Sequence, residues 1–152
     1  MLQRPQTLIL LGAFILNILL LTGPLASFSG EGNEWVLRHS GLFDQAGENS
    51  GLATWPLSTL VISLAVLSFG VIFSYMNRMR QMRLSIFLIL LSAGLTGMMF
   101  YYIWAAGQEL EGTHRLYAWR FVLPPVNLVL FYFAFRLIRK DELLVKAYDR
   151  LR

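Results

Sequence analysis

Long apolar stretches alternate with short polar ones along this chain, on the length scale of a lipid bilayer. No charged residue falls between Thr7 and Leu25, between Leu57 and Tyr75, or between Leu84 and Trp104, and a fourth apolar run extends from Phe121 to about Leu137. The hydrocarbon core of a membrane is about 30 Å thick and a helix rises about 1.5 Å per residue, so about 20 such residues cross it. The pattern predicts an all-α integral membrane protein, a four-transmembrane-helix bundle in one domain. Its spans fall at approximately 7–25, 57–76, 84–104 and 121–138. Outer loops occupy 26–56 and 105–120, an inner loop 77–83, and a cytoplasmic C-terminal helical extension 139–152. Pro24 marks the end of the first run, and Pro56 sits at the first turn of the second, where a proline costs least. The rival reading of the first run is a cleaved signal peptide with small residues near Ser27 and Ser29. Retention is preferred because the run is long for a signal-peptide core.

Within the long first outer loop, Leu25 to Ser29 and Glu34 to Ser40 flank Gly30-Glu31-Gly32-Asn33, a turn-rich spacing that predicts a β-hairpin over the helix ends. The loop carries Glu31, Glu34, Asp44 and Glu48 against Arg38 alone, a net charge of −3. Trp35, Leu37, Leu42 and Phe43 are too apolar for a wholly solvated loop, so part of it is expected to pack on the helices or the headgroup layer.

Composition strengthens the membrane reading. Of the 152 residues 56% are hydrophobic and 14% charged, and cysteine is absent, which removes disulfides and thiolate chemistry. The pI of about 9.8 does not point to nucleic acid. The basic residues flank apolar runs instead of interleaving with aromatics, so they act as topology determinants, chiefly Arg78, Arg80, Arg83, Arg139 and Lys140. Arg4, Arg136, Lys146, Arg150 and Arg152 fall on the same side, leaving Arg38, Arg115 and Arg120 opposite. This positive-inside bias places both termini in the cytoplasm of a bacterial inner (cytoplasmic) membrane protein, with Trp35, Trp55, Trp104 and Trp119 all on the outer side.

Certain segments are distinctive: Met1-Leu2-Gln3-Arg4-x-Gln6, Tyr75-x-Asn77-Arg78, Gln81-x-Arg83-Leu84, Arg120-Phe121-Val122-Leu123-Pro124-Pro125, and Arg139-Lys140-Asp141-Glu142 through Asp149-Arg150-Leu151-Arg152. In these the chain resembles a bacterial family of uncharacterised small four-span inner-membrane proteins, a domain-of-unknown-function family. The resemblance covers nearly the whole chain; it implies an inner-membrane four-helix protein and transfers no catalytic residue.

Chemistry is sparse. His39 lies near Glu34 and Asp44 in sequence, and His114 near Glu109 and Glu111. The spacing matches no ligand motif, and solvated loop residues are the preferred reading over a metal or acid–base site. No metal, cofactor or catalytic group is assigned. Thr59, Ser63, Gly70 and Ser74 recur on one helical face, and Ala93 and Gly97 form a small-xxx-small pair beside Ser92 and Thr96; these, with Asn17 and Asn127, are candidates for helix packing. Pro124 and Pro125 are expected in the first turn of the last span, the alternative being a kink that frees carbonyls. In the tail, Leu137, Leu144, Tyr148 and Leu151 share a face, and the segment from Arg136 is net +3. That tail is either a docking helix or a cytoplasmic stop signal. No acid or base lies deep in a span, which counts against a pump. The function expected is a non-enzymatic accessory or scaffold subunit, in contact with the bilayer and with other inner-membrane proteins or further copies of itself. The alternative is a small-molecule or lipid transporter or binding protein with a cavity between the helices.

Overall fold

The computed structural model describes residues 5–29, 34–44, 46–48, 54–74, 77–109 and 114–150. Four helices dominate: α1 (Pro5–Leu21), α2 (Trp55–Phe73), α3 (Arg78–Glu109) and α4 (Leu123–Arg150). Each packs on two others, α1 against α2 and α4, and α3 against the same two. Neighbours run antiparallel. The rings of Phe14 and Phe69 lie 5.5 Å apart, and Ser92 in mid-α3 bonds Pro124 at the start of α4.

Three of the helices are long and apolar enough to cross a membrane: Trp55–Phe73, Met79–Gln108 and Trp119–Val145. The apolar helix Gln6–Leu21 is shorter. The distribution of residues around the helices shows which solvent they fit. On α1, Leu8, Leu11, Ile15 and Ile18 face outward, while Gln6, Asn17 and Ala13 are buried. α2 exposes Ile62, Val66, Phe69 and Phe73 and buries Ser68; α3 exposes Ile86, Phe87 and Leu90 and buries Gln81, Ser85 and Ser92. A water-soluble helix puts its polar residues outside. Here the polar side chains of these helices are inside, among Leu and Ala, and the outward face is apolar as well, as a hydrocarbon solvent demands.

At the end of the helices where α1 finishes lies a four-stranded antiparallel sheet of order β3-β2-β1-β4. Its strands are β1 (Ala26–Ser29), β2 (Glu34–Arg38), β3 (Gly41–Phe43) and β4 (His114–Tyr117). The hairpin expected from sequence is β1–β2, paired from Ala26↔Leu37 to Ser29↔Glu34; its turn, 30–33, lies outside the described residues. β3 folds back on β2, and β4 arrives from the second outer loop to pair Ser29↔His114 through Ala26↔Tyr117. Leu25, Ala26, Phe28, Leu37 and Leu42 are fully buried and join the same hydrophobic cluster as Leu57, Met99, Ile103 and Ala106 of the helix ends. The sheet is thus a lid on the helices, and alternation along β1 decides which residues face down.

Several boundaries differ from the sequence reading. α1 runs from Pro5 to Leu21 and not from 7 to 25: Thr22 caps it with both backbone and hydroxyl on the carbonyl of Leu19, and Leu25 already pairs with Leu37. The inner loop expected at 77–83 is mostly helix, because α3 starts at Arg78 with the Gln81 amide bonded to the carbonyl of Asn77. Charge marks where a helix leaves hydrocarbon, not where it unwinds, so Arg80 and Arg83 ride on its first turns. The loop expected at 105–120 is helical to Glu109, then contributes β4 and a 3-10 turn, Trp119–Val122. α4 continues unbroken from Leu123 to Arg150, with Pro124 and Pro125 in its first turn.

Candidate functional site

The chemistry of this protein is concentrated at two places, the sheet end of α1 and the helical interior. The last carbonyls of α1 have no partner further along the helix, as at every helix end. Thr22 already bonds that of Leu19, and two distant side chains add to the cap. Arg120, from the 3-10 turn before α4, donates from Nε to the carbonyl of Leu19 at 3.2 Å. Its guanidinium lies 4.8 Å from the ring centre of Trp119 and against Gly23, where an added Cβ would overlap it. A cation at a helix C-terminus is favoured by the helix dipole by about 0.3–1 kcal/mol. Glycine at 23 is what gives it room. His39, half-buried, places Nε2 at 3.0 Å from the carbonyl of Leu21, so that nitrogen carries the proton. Its Nδ1 lies 3.3 Å from Ser58 Oγ on α2, and that hydroxyl donates to the backbone carbonyl of His39 at 2.6 Å. The hairpin, α1, α2 and α4 are tied at one point.

In the interior, Asn127 of α4 donates from Nδ2 to Asn17 Oδ1 of α1 at 2.8 Å, with both residues fully buried. The remaining donor and acceptor of this amide pair, Asn17 Nδ2 and Asn127 Oδ1, have no hydrogen-bond partner. Ser92 Oγ donates to the carbonyl of Pro124 at 3.2 Å, and Gln81 Nε2 to that of Val71 at 3.4 Å. Ser68, Ser85 and Thr96 return their hydroxyls to their own helices.

Of the residues singled out from sequence, Asn17 and Asn127 are brought together. The small residues are not. Ser63 is half-buried, while Gly70, Ala93 and Gly97 lie on the outer surface. A Cβ built on Gly70, Gly94 or Gly97 meets nothing within 4 Å. Small spacing marks a face that permits close approach, and within this chain the buried faces are filled by Leu, Ala and Ser instead. Arg80, Arg83, Arg139 and Lys140 are exposed at the end of the helices opposite the sheet, where Arg78 begins α3. Leu144 is 49% exposed on α4; the Tyr148 side chain and Leu151 lie outside the described residues.

His39 bonds backbone and serine, not the carboxylates near it in sequence. β4 carries His114 in the edge strand beside β1. Among the described residues, no three of His, Cys, Asp and Glu come together as metal ligands would. Sequence reasoning missed Gly23, Ser58 and Arg120 as a knot, and Gln6, Gln81 and Ser85 as buried. The available signal was that Gln6, Gln81, Arg120 and Pro124 all fall in the distinctive segments.

No curated protein and no solved structure matches the chain. The family model described as a domain of unknown function (DUF4293) matches residues 2–151, and the chain belongs to that family.

Proposed function

We propose that this is a four-span protein of a bacterial inner membrane, both termini cytoplasmic, serving without catalysis as an accessory or scaffold subunit of a membrane assembly. α1 counts as a span on this reading. Its 17 residues lie at the short end of the range of about 17–25 that crosses a bilayer, and its outward stripe is wholly apolar. The orientation rests on the Lys and Arg at the end opposite the sheet and on exposed Trp55, Trp104 and Trp119 at the sheet end.

The observation that supports an accessory role best is the bare face of α3. Ala93, Gly94 and Gly97 are exposed between outward-facing Phe87, Leu90, Phe100 and Tyr101, with open space over both glycines. Against lipid alone such a notch gains nothing, whereas a second helix uses it for close backbone contact. The occupant is a helix of another membrane protein or of a second copy, and the tail stripe of Leu144, Tyr148 and Leu151 would add a docking surface. The test is Gly97→Leu, made in the native host. Insertion and thermal stability of the isolated chain should be unchanged, while the proteins or copies recovered with it in mild detergent should be lost. An unchanged set of associates would overturn the role.

The second reading, a transporter or lipid-binding protein with an intra-bundle cavity, draws on the unpartnered Asn17 Nδ2, Asn127 Oδ1 and Gln81 Oε1. The buried polar residues among those described are Gln, Asn, Ser and Thr, with no acid or strong base to couple ion movement. That weighs toward the accessory role.

A further inference from the structure

A groove of about 660 Å³ lies between the first half of α1 and the middle of α4. It is lined by apolar Ile9, Phe133, Leu137 and Leu143 and by basic Arg136, Arg139 and Lys140. The three cations sit at i, i+3 and i+4 and so share one face of α4, where like charges repel by about 0.2–0.5 kcal/mol per pair. All three are exposed. Asp141 and Glu142, the nearest carboxylates on α4, are half-buried and outside the groove lining.

Depth argues for what belongs there. From Arg120 at the sheet end to Arg136 is 16 steps, the first three in the 3-10 turn and 13 in α4, about 25 Å of rise against a hydrocarbon thickness of about 30 Å. Arg136 therefore lies just inside the far hydrocarbon boundary, with Arg139 and Lys140 at that boundary about one turn further on, and Phe133 one turn deeper. A guanidinium at that depth must snorkel or meet an anion, and arginine binds phosphate bidentately.

We infer that this groove holds one anionic glycerophospholipid of the leaflet at that end. Its phosphate lies on Arg136, Arg139 and Lys140, and one acyl chain lies along Ile9 and Phe133. The inference rests on the bilayer placement proposed above and is independent of the accessory role. A zwitterionic lipid fits the same apolar lining but brings its own cation to a groove that already has three.

Native mass spectrometry of the full chain in mild detergent, with phosphatidylglycerol or phosphatidylcholine added in equal amounts, tests this. One phosphatidylglycerol per chain should be retained in preference to phosphatidylcholine, by on the order of fivefold for each cation engaged. Arg139→Gln with Lys140→Gln, both at exposed positions, should erase most of the preference, and Ile9→Trp should reduce retention of both lipids by filling the apolar wall. Arg80→Gln with Arg83→Gln, at the same end on α3, should leave the preference intact. Equal retention of the two lipids, or an equal loss from the α3 pair, overturns the groove in favour of diffuse surface charge. Displacement of phosphatidylglycerol by millimolar inorganic phosphate would overturn the lipid in favour of a phosphate site. A chain that stays soluble without detergent and retains neither lipid would instead refute the bilayer placement.

Discussion

The amide pair between α1 and α4 offers the sharpest energetic test. Asn17 and Asn127 are 110 positions apart in sequence, fully buried, and joined at 2.8 Å. Changing either to alanine removes the bond and leaves the other amide buried without its partner, which costs about 1–3 kcal/mol for the stranded group. Changing both removes both polar groups, so the second substitution should cost less than the first. Interhelical hydrogen bonds within membranes contribute about 0.6 kcal/mol on average and up to about 1.7 kcal/mol. The free amide atoms, Asn17 Nδ2 and Asn127 Oδ1, limit the gain to one bond and place the expectation in that range. The assay is a double-mutant cycle: wild type, Asn17→Ala, Asn127→Ala and the double variant, each unfolded reversibly in micelles and followed by tryptophan fluorescence. The double should be less destabilised than the sum of the singles by about 0.6–1.7 kcal/mol. Additivity within about 0.3–0.5 kcal/mol would refute the contact.

Two further outcomes follow from the sheet end and from topology. Gly23→Ala should displace the guanidinium of Arg120 from the end of α1 and destabilise the protein by about 1 kcal/mol, and combining it with Arg120→Gln should add little; independent effects in thermal melts would show that the two do not act together. Single cysteines at exposed Ala46 and at exposed Arg80 should react with an impermeant thiol reagent only at Ala46 in spheroplasts, reading the two ends of the helices; Gln81 is a poor probe because it is buried, and labelling of Arg80→Cys alone would invert the orientation.

The apolar runs were legible because hydropathy needs no partner: a stretch such as Leu57 to Tyr75 is committed by its own composition. The β1–β2 hairpin was legible for a similar reason, since Gly30-Glu31-Gly32-Asn33 is local turn chemistry. β4 was not, because His114–Tyr117 becomes a strand only by pairing with β1, which lies far back in the chain. Nor were the buried glutamines. Gln6 and Gln81 sit beside charged residues and read as loop, yet each falls on the inward face of a helix that continues past the apolar run. In a water-soluble protein an apolar stripe reveals the inward face. Here both faces are apolar, and only scattered polar residues distinguish them.

That scatter carries an argument about how the helices choose their neighbours. Between lipid-exposed helices, burying Leu against Leu gains little over leaving it in lipid, so packing shape and polar contacts must do the selecting. Three of the four contacts around the helices have a polar bond of their own. Asn127 and Arg120 tie α4 and its preceding turn to α1, Ser92 ties α3 to α4, and Gln81 ties α3 to α2. Between α1 and α2 no side chain of either helix spans the gap among the bonds identified; His39 of the hairpin does, its ring donating to the carbonyl of Leu21 and its own carbonyl accepting from the Ser58 hydroxyl. The sheet is therefore more than a cover for the helix ends. It supplies the polar link that the α1–α2 pair lacks, and this gives a physical reason for the one sizeable loop to sit between those two helices.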